Sequence, residues 1–231
     1  MNVDESFKSR AHKIVALSQL SQIMLHALSL STKDPESEFT KYFTSISDNL
    51  FDGHHTNREI SAPGYKAVGF MDGLTLIMTI SELELFFQEV VIASLVAHPQ
   101  KMTKTSIEIK QLINYSSIDD ALRATAEGFA NGLMFKKPND YKKSLLSIIS
   151  ADEKLLDDFW PTFVEAKARR DIGVHNDWEV NDIYINKVKE VGLTPTTEPF
   201  LAVNQEYILS VRVCCIDIMK AIKNHYERTF S

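Results

Sequence analysis

Apolar residues near the C-terminus recur every three or four positions, and this spacing constrains the possible folds more than any other feature of the sequence. They are Tyr207, Ile208, Val211, Cys214, Cys215, Ile218, Met219, Ile222 and Tyr226. Because an α-helix turns once in about 3.6 residues, these side chains share one helix face. The pattern predicts a long helix from about Val203 to Arg228, packed against a core.

The same spacing predicts helices along most of the remaining chain. The apolar positions 83, 86, 87, 90 and 91 form one face, Ser81 and Glu84 fit a capping box, and Pro99 ends that helix. An N-terminal helix is expected over about 4–30, with these residues facing inward: Ile14, Leu17, Leu20, Ile23 and Met24. Further helices are expected over roughly 34–53, 104–113, 118–135, 139–149, from Pro161 to about 175, and from an Asn181 cap to just before Gly192.

The segment from His54 to Gly73 is the best candidate domain boundary. It contains Pro63 and three glycines, which favour a loop. This divides the chain into an N-terminal helical extension with its loop, residues 1–73, and a helical bundle, residues 74–231. Residues 74–80 have strand-forming side chains but no obvious partner strand. We therefore predict an all-α fold, a helical bundle with an additional N-terminal helical segment.

Charge and cysteine content limit the function classes. The 231 residues include 25 Lys+Arg and 31 Asp+Glu, a net charge of −6. This balance disfavours a protein that coats phosphates generally, although a local basic site remains possible. The adjacent Cys214 and Cys215 suit buried thiols in a reducing compartment, and the charged N-terminus has no apolar signal core. Glutamates interrupt the most apolar stretch, 74–97, so we expect a cytoplasmic protein without a membrane span.

The segment from Arg169 to Asn176 is the one stretch that suggests chemistry. It reads Arg-Arg-Asp-Ile-Gly-Val-His-Asn. A guanidinium binds phosphate and stays charged, and a histidine exchanges protons near neutral pH. Together they are the minimum for cleaving RNA without a metal, since His175 can remove the 2′-hydroxyl proton while an arginine stabilises the crowded phosphate.

The spacing within this segment restricts how its side chains meet. Asp171 and His175 are four residues apart on one helix face, so the carboxylate can orient the ring. Arg170 lies about 140° around the helix from His175. One straight helix does not bring both to the same atom. Either the helix ends near Gly173, or a second subunit completes the site.

The residues from Arg170 to His175 resemble the R-x4-H signature of the HEPN superfamily, the higher eukaryotes and prokaryotes nucleotide-binding domains. Asn176 after the histidine, the stretch 179–184 that leads into a helix, and the earlier helix at 82–87 are also similar to this family. The resemblance covers roughly residues 81–230. It does not account for residues 1–73.

The resemblance implies a dimeric all-α bundle in which two copies of the motif face each other. Many HEPN proteins are metal-independent ribonucleases of toxin–antitoxin or phage-defence systems, which implies an RNA substrate, no cofactor and a possible antitoxin or defence partner protein. Arg170 and His175 would be the catalytic pair and Asp171 the supporting polar residue. Arg169 also precedes His175 at R-x5-H spacing, and we interpret it as an accessory phosphate contact. Asn176 and Trp178 are further candidates for RNA contact.

The same residues and several others also have simpler structural interpretations. Arg169, Arg170 and Asp171 also suit a solvated helix end, and His175 suits a capping or core histidine. His54 and His55 lack ligands at metal spacing and favour a turn, so no metal site is predicted. The lysine pairs 136–137 and 142–143 fit a solvated basic face better than an RNA contact. The aromatic residues at 86, 87, 159, 160 and 163 fit a core.

Two further functions stay open. A non-catalytic HEPN-like module that binds RNA or protein is favoured by the acidic net charge and by the lack of a clear basic stripe. A purely structural helical scaffold would make the motif a coincidence. The dimeric endoribonuclease is the leading hypothesis.

Overall fold

The protein is all-helical in the part of the chain that its computed structural model describes, residues 2–33, 57–102 and 114–230. This confirms the predicted fold class. Seven α-helices occur in these ranges, and a short 3-10 turn, Pro99–Met102, follows the second. They are α1 (Val3–Lys33), α2 (Asn57–Ala97), α3 (Ile118–Leu133), α4 (Pro138–Ile148), α5 (Trp160–His175), α6 (Asp182–Glu190) and α7 (Gln205–Phe230). The one strand-like contact there is a single antiparallel bridge between Glu179 and Phe200.

Most of the predicted helices are present within a few residues of their expected ends. α7 begins two residues later than predicted and ends two residues later. Asn181 caps α6 as expected, since its side chain accepts a hydrogen bond from the Tyr184 amide at 3.1 Å. α5 begins at Trp160 itself, with Pro161 in its first turn. The expected helices at 34–53 and 104–113, and the His54-His55 pair, lie outside the described residues.

The prediction of a loop up to residue 73 was wrong. α2 is one continuous helix over 57–97, so the proposed boundary after residue 73 falls inside a helix. Residues 74–80, which have strand-forming side chains, belong to the same helix. Ser81 is no cap, because its hydroxyl donates to the Ile77 carbonyl of the preceding turn. Gly73 is needed for packing instead: a Cβ there would lie 2.7 Å from the Trp178 ring.

α1 packs against α2 and α7 and contributes to the main core. Val3 and Ile14 are buried there, as expected for Ile14. Leu20 and Ile23 were predicted to face inward, but they are 54% and 65% exposed. At these two positions α1 directs apolar side chains away from the core, which apolar spacing alone did not reveal.

The core is built around α2, which contacts α1, α3, α4, α5 and α7. Phe87 of α2 packs edge-on against Tyr141 of α4 and Phe163 of α5, with ring centroids 6.0 and 5.5 Å apart. Trp160 packs on Phe163 at 5.0 Å. Such pairs add to the free energy gained by burying the rings. This aromatic cluster fixes α5 against α2, and α5 carries the candidate site.

A partly buried ion cluster joins α1 to α2. Arg10 donates from Nη1 to Glu82 at 2.7 Å and from Nε to Glu89 at 2.8 Å, and the Ser6 hydroxyl donates to Glu89 as well. Burial raises the pKa of Glu89, but the hydrogen bonds from Arg10 and Ser6 lower it by more, so the pKa lies below its ordinary value. Charges this poorly solvated need their partners.

We predict that Arg10→Met lowers the free energy of unfolding by as much as about 3–5 kcal/mol at neutral pH, because Glu89 then keeps only the Ser6 hydroxyl and Glu82 only Lys13 at 3.7 Å. A carboxylate with a lowered pKa stabilises the fold above its unfolded-state pKa, and that contribution disappears as the pH falls through the folded-state pKa. The difference between wild type and variant, measured by urea unfolding, should therefore shrink as the pH falls below about 4.5.

Arg123→Met is the matched control, because Arg123 forms an exposed pair with Glu127 at 3.2 Å. It should change the free energy of unfolding by about 0.5 kcal/mol or less. A loss at Arg10 no larger than this, or one that does not vary with pH, would show that the cluster is not a stabilising ion network.

Candidate active-site cavity

α5 ends at the motif and carries its main residues toward one cavity. Asn176 caps the helix, with its backbone N–H bonded to the Ile172 carbonyl at 2.8 Å. The cavity beside this helix end has a volume of about 570 Å³ and lies between α2, α5, α6 and the segment that joins α3 to α4. Arg170, Asp171, His175 and Asn176 all line it. The helix does not stop near Gly173, yet the arginine and the histidine reach the same cavity.

A chain of ion pairs crosses the wall of this cavity. Lys167 and Arg170, one turn apart on α5, share the carboxylate of Glu84 from α2; the Arg170 Nη2–Glu84 Oε2 distance is 2.6 Å. Asp171 then lies 3.2 Å from Arg170 Nε and 3.0 Å from Lys187 Nζ of α6. Glu84 is 6% exposed, so its charge depends on these two cations. This series of ion pairs links α2, α5 and α6 through Arg170.

Arg170 keeps part of its hydrogen-bonding capacity. Nη2 donates to Glu84, whereas Nε is buried and makes no hydrogen bond within the described residues despite its proximity to Asp171. Nη1 also has no partner there. Guanidinium groups bind phosphate through two N–H donors at once. Arg170 is therefore oriented by Glu84, while Nη1 remains as a donor for a ligand in the cavity.

His175 is exposed at the end of α5, and its ring makes no hydrogen bond to any described residue. The expected contact with Asp171 is not formed, since that carboxylate pairs with Arg170 and Lys187. The imidazole is therefore free to accept a proton from a bound ligand. Asp171 therefore forms ion pairs with Arg170 and Lys187 and does not orient His175.

Arg169 points to a second cluster and does not line the cavity. Its Nη2 lies 2.8 Å from Glu165, its Nη1 donates to the Ala202 carbonyl, and the guanidinium stacks 4.2 Å from the Tyr207 ring centroid. Tyr184 and Tyr207 both donate to Glu165, at 2.8 and 2.5 Å. Burial, with help from Glu165, raises the pKa of both tyrosines. This cluster holds α5, α6 and α7 together.

Trp178 is a packing residue between two helices. Asp177 and Trp178 have φ angles of +46° and +66°, a left-handed turn that costs side-chain-bearing residues conformational energy. The turn places the indole against α2 and α5, where a Cβ on Gly73 or Gly173 would lie 2.7 or 2.5 Å from it. Trp178 does not line the cavity, whereas Asn176 does and also donates to the Glu179 carbonyl at 2.7 Å.

Sequence reasoning missed three charged residues of the cavity: Glu84, Lys167 and Lys187. Lys167 had a usable signal, because it lies one helical turn before Arg170 and shares its face. Glu84 was interpreted as a capping residue, and its contact with Arg170 crosses 86 positions in the chain. Lys187 reaches Asp171 from another helix.

Comparisons with known proteins give no relative. No protein-family model, no curated protein and no solved structure matches this chain. Within the described residues, no group of three or more His, Cys, Asp or Glu side chains is placed to hold a metal ion. No helix in those ranges has the length and apolar character needed to cross a membrane.

We predict that Gly173→Ala lowers the free energy of unfolding by about 1–3 kcal/mol, because the new Cβ displaces the Trp178 indole. The change should also shift the tryptophan fluorescence of the folded protein. Gly128→Ala in α3 is the control, since a Cβ there meets no atom within 4 Å. Alanine forms helix better than glycine by about 1 kcal/mol, so that variant should be more stable. Equal effects of the two substitutions would contradict the packing role of Trp178.

Proposed function

We propose that the protein is a metal-independent endoribonuclease of the HEPN type, acting in antiviral defence or a toxin–antitoxin system. The observation that carries the proposal is that Arg170 and His175, the two residues singled out by the R-x4-H pattern, line one cavity. The resemblance of the motif supports the biological setting. The geometry supports a reaction at a phosphate.

The charge of the cavity supports a phosphate ligand in an otherwise acidic chain. Four cationic side chains and two carboxylates line it: Lys136, Lys167, Arg170, Lys187, Glu84 and Asp171. The lining thus carries a net charge of +2 with His175 neutral, against −6 for the whole chain. Fixed cations around a cavity attract anionic ligands and stabilise charge that develops during a reaction.

The reaction follows from these groups. His175 removes the proton of a ribose 2′-hydroxyl, and the 2′-oxygen attacks the adjacent phosphorus. The bond from O2′ to phosphorus forms and the bond from phosphorus to O5′ breaks. A water molecule gives a proton to the leaving O5′, and the proton held by His175 passes to the resulting hydroxide. The products carry a 2′,3′-cyclic phosphate and a 5′-hydroxyl. Arg170 stabilises the additional negative charge on the phosphoryl oxygens in the transition state.

We include a homodimer in this proposal because the resemblance to the HEPN superfamily implies one. Val174, next to His175 in α5, is an exposed apolar side chain that a partner subunit at this helix end would cover. In such a dimer a second copy of the cavity would face the first across the ends of the two α5 helices.

A second candidate, a non-catalytic module that binds RNA or a protein, is favoured by the pairing of Arg170. Two carboxylates, Glu84 and Asp171, already neutralise much of its charge. An arginine paired in this way stabilises the fold whether or not a substrate binds. The two candidates differ in whether His175 is needed.

We predict that His175→Ala and Arg170→Ala each slow RNA cleavage about a hundredfold or more, because one removes the base and the other a preorganised cation. Cleavage would be measured on total RNA with a chelator present, with fragment ends analysed for the cyclic phosphate. His12→Ala on α1 and Arg123→Ala on α3, both exposed and outside the cavity, are the matched controls and should cleave normally.

Thermal unfolding separates this loss from misfolding, especially at Arg170, where removal leaves Glu84 with Lys167 alone. Arg170→Lys keeps a positive charge near Glu84 but not the planar pair of donors. It should fold and still cleave poorly. Cleavage that survives in His175→Ala would end the assignment of the base, and RNA binding without cleavage by the wild type would favour the passive module.

A further inference from the structure

The lining of the cavity combines charged and apolar residues. Its charged residues include Lys167, Arg170 and Lys187 with their two carboxylate partners. Its apolar residues include Met134, Phe135, Pro138 and Ile183. The cavity volume, about 570 Å³, is in the range of sites for small organic ligands. A ligand that contacts both kinds of residue has an anionic part and a flat or apolar part.

Phe135 is the most exposed large apolar residue described in the chain, at 90%. It follows the last turn of α3, and the next residue, Lys136, lines the same cavity. Ile183 beside the cavity is 66% exposed. Phe135 and Ile183 both line the cavity, so together they give it exposed apolar surface that a bound ligand can cover. A cation adjoins Phe135 in sequence, which suits a ligand that carries both a ring and phosphate.

We propose that Phe135 stacks on a nucleobase of single-stranded RNA next to the phosphate held at Arg170. The identity of the polymer rests on the proposed function, but the stacking itself concerns binding and not cleavage. A base must leave its own stack to lie on Phe135, so single strands bind better than duplexes.

Charge favours a nucleic acid over a second copy of this chain at this surface. A second copy of this chain carries a net charge of −6, but its anionic groups and its aromatic rings belong to different residues. Every nucleotide, in contrast, joins one phosphate to one aromatic base. Stacking of a base on an aromatic side chain tolerates any sequence, because each base has a π-face. Phe135 therefore increases affinity without selecting one base.

The test uses a short 2′-O-methyl oligonucleotide, which cannot be cleaved by attack of the 2′-oxygen, and an abasic strand of the same length and charge. Binding is measured by fluorescence anisotropy for the wild type, Phe135→Ala, Phe135→Trp and Phe200→Ala. Phe200 is an exposed phenylalanine outside the cavity and is the matched control. Because binding is read without cleavage, a failure of the stacking proposal is distinguishable from a failure of the nuclease proposal.

We expect Phe135→Ala to weaken binding of the base-containing strand by about 5- to 100-fold and Phe135→Trp to preserve it. The abasic strand should bind the wild type and Phe135→Ala equally, and Phe200→Ala should match the wild type with both strands. Equal binding of the base-containing strand by the wild type and Phe135→Ala would overturn the proposal. So would an equal loss with the abasic strand, or a change from dimer to monomer that accounts for the lost affinity.

Discussion

The carboxylate of Glu84 is the constraint on which the site depends. It projects from the central helix α2 at 6% exposure and binds Lys167 and Arg170, which lie one turn apart on α5. A carboxylate so far from water is tolerated only with such partners. The same contact fixes the rotation of α5 about its axis, and with it the direction of Arg170. Asp171 and Lys187 extend the chain of charges to α6.

Around this ion chain, apolar packing sets the dimensions of the cavity. The aromatic cluster of Phe87, Tyr141, Trp160 and Phe163 holds α5 against α2. At the other end of α5, Trp178 fills the space that the two glycines at 73 and 173 leave open. The left-handed turn at Asp177 and Trp178 follows His175 after one residue, Asn176. Rigid packing on both sides leaves the imidazole at the edge of the cavity without a partner of its own within the described residues.

How much the sequence reveals depends on whether a feature is local. The 3.6-residue spacing predicted α7 within two residues at each end, and Asn181 predicted the start of α6, because caps and periodicity act within one turn. Gly73 and Ser81 gave wrong predictions. In sequence, a glycine that makes room for a ring resembles a helix breaker, and a serine that bonds to its own helix resembles a cap. Glu84 could not be placed, because its partner Arg170 is 86 residues away.

The most direct measurement is a crystal structure of the protein with a short, uncleavable 2′-O-methyl oligonucleotide. We expect one phosphate within hydrogen-bonding distance of the Arg170 guanidinium, with His175 Nε2 or Nδ1 beside the modified 2′-oxygen of the preceding ribose. An oligonucleotide bound elsewhere, with the cavity empty and Arg170 paired only to Glu84 and Asp171, would contradict it.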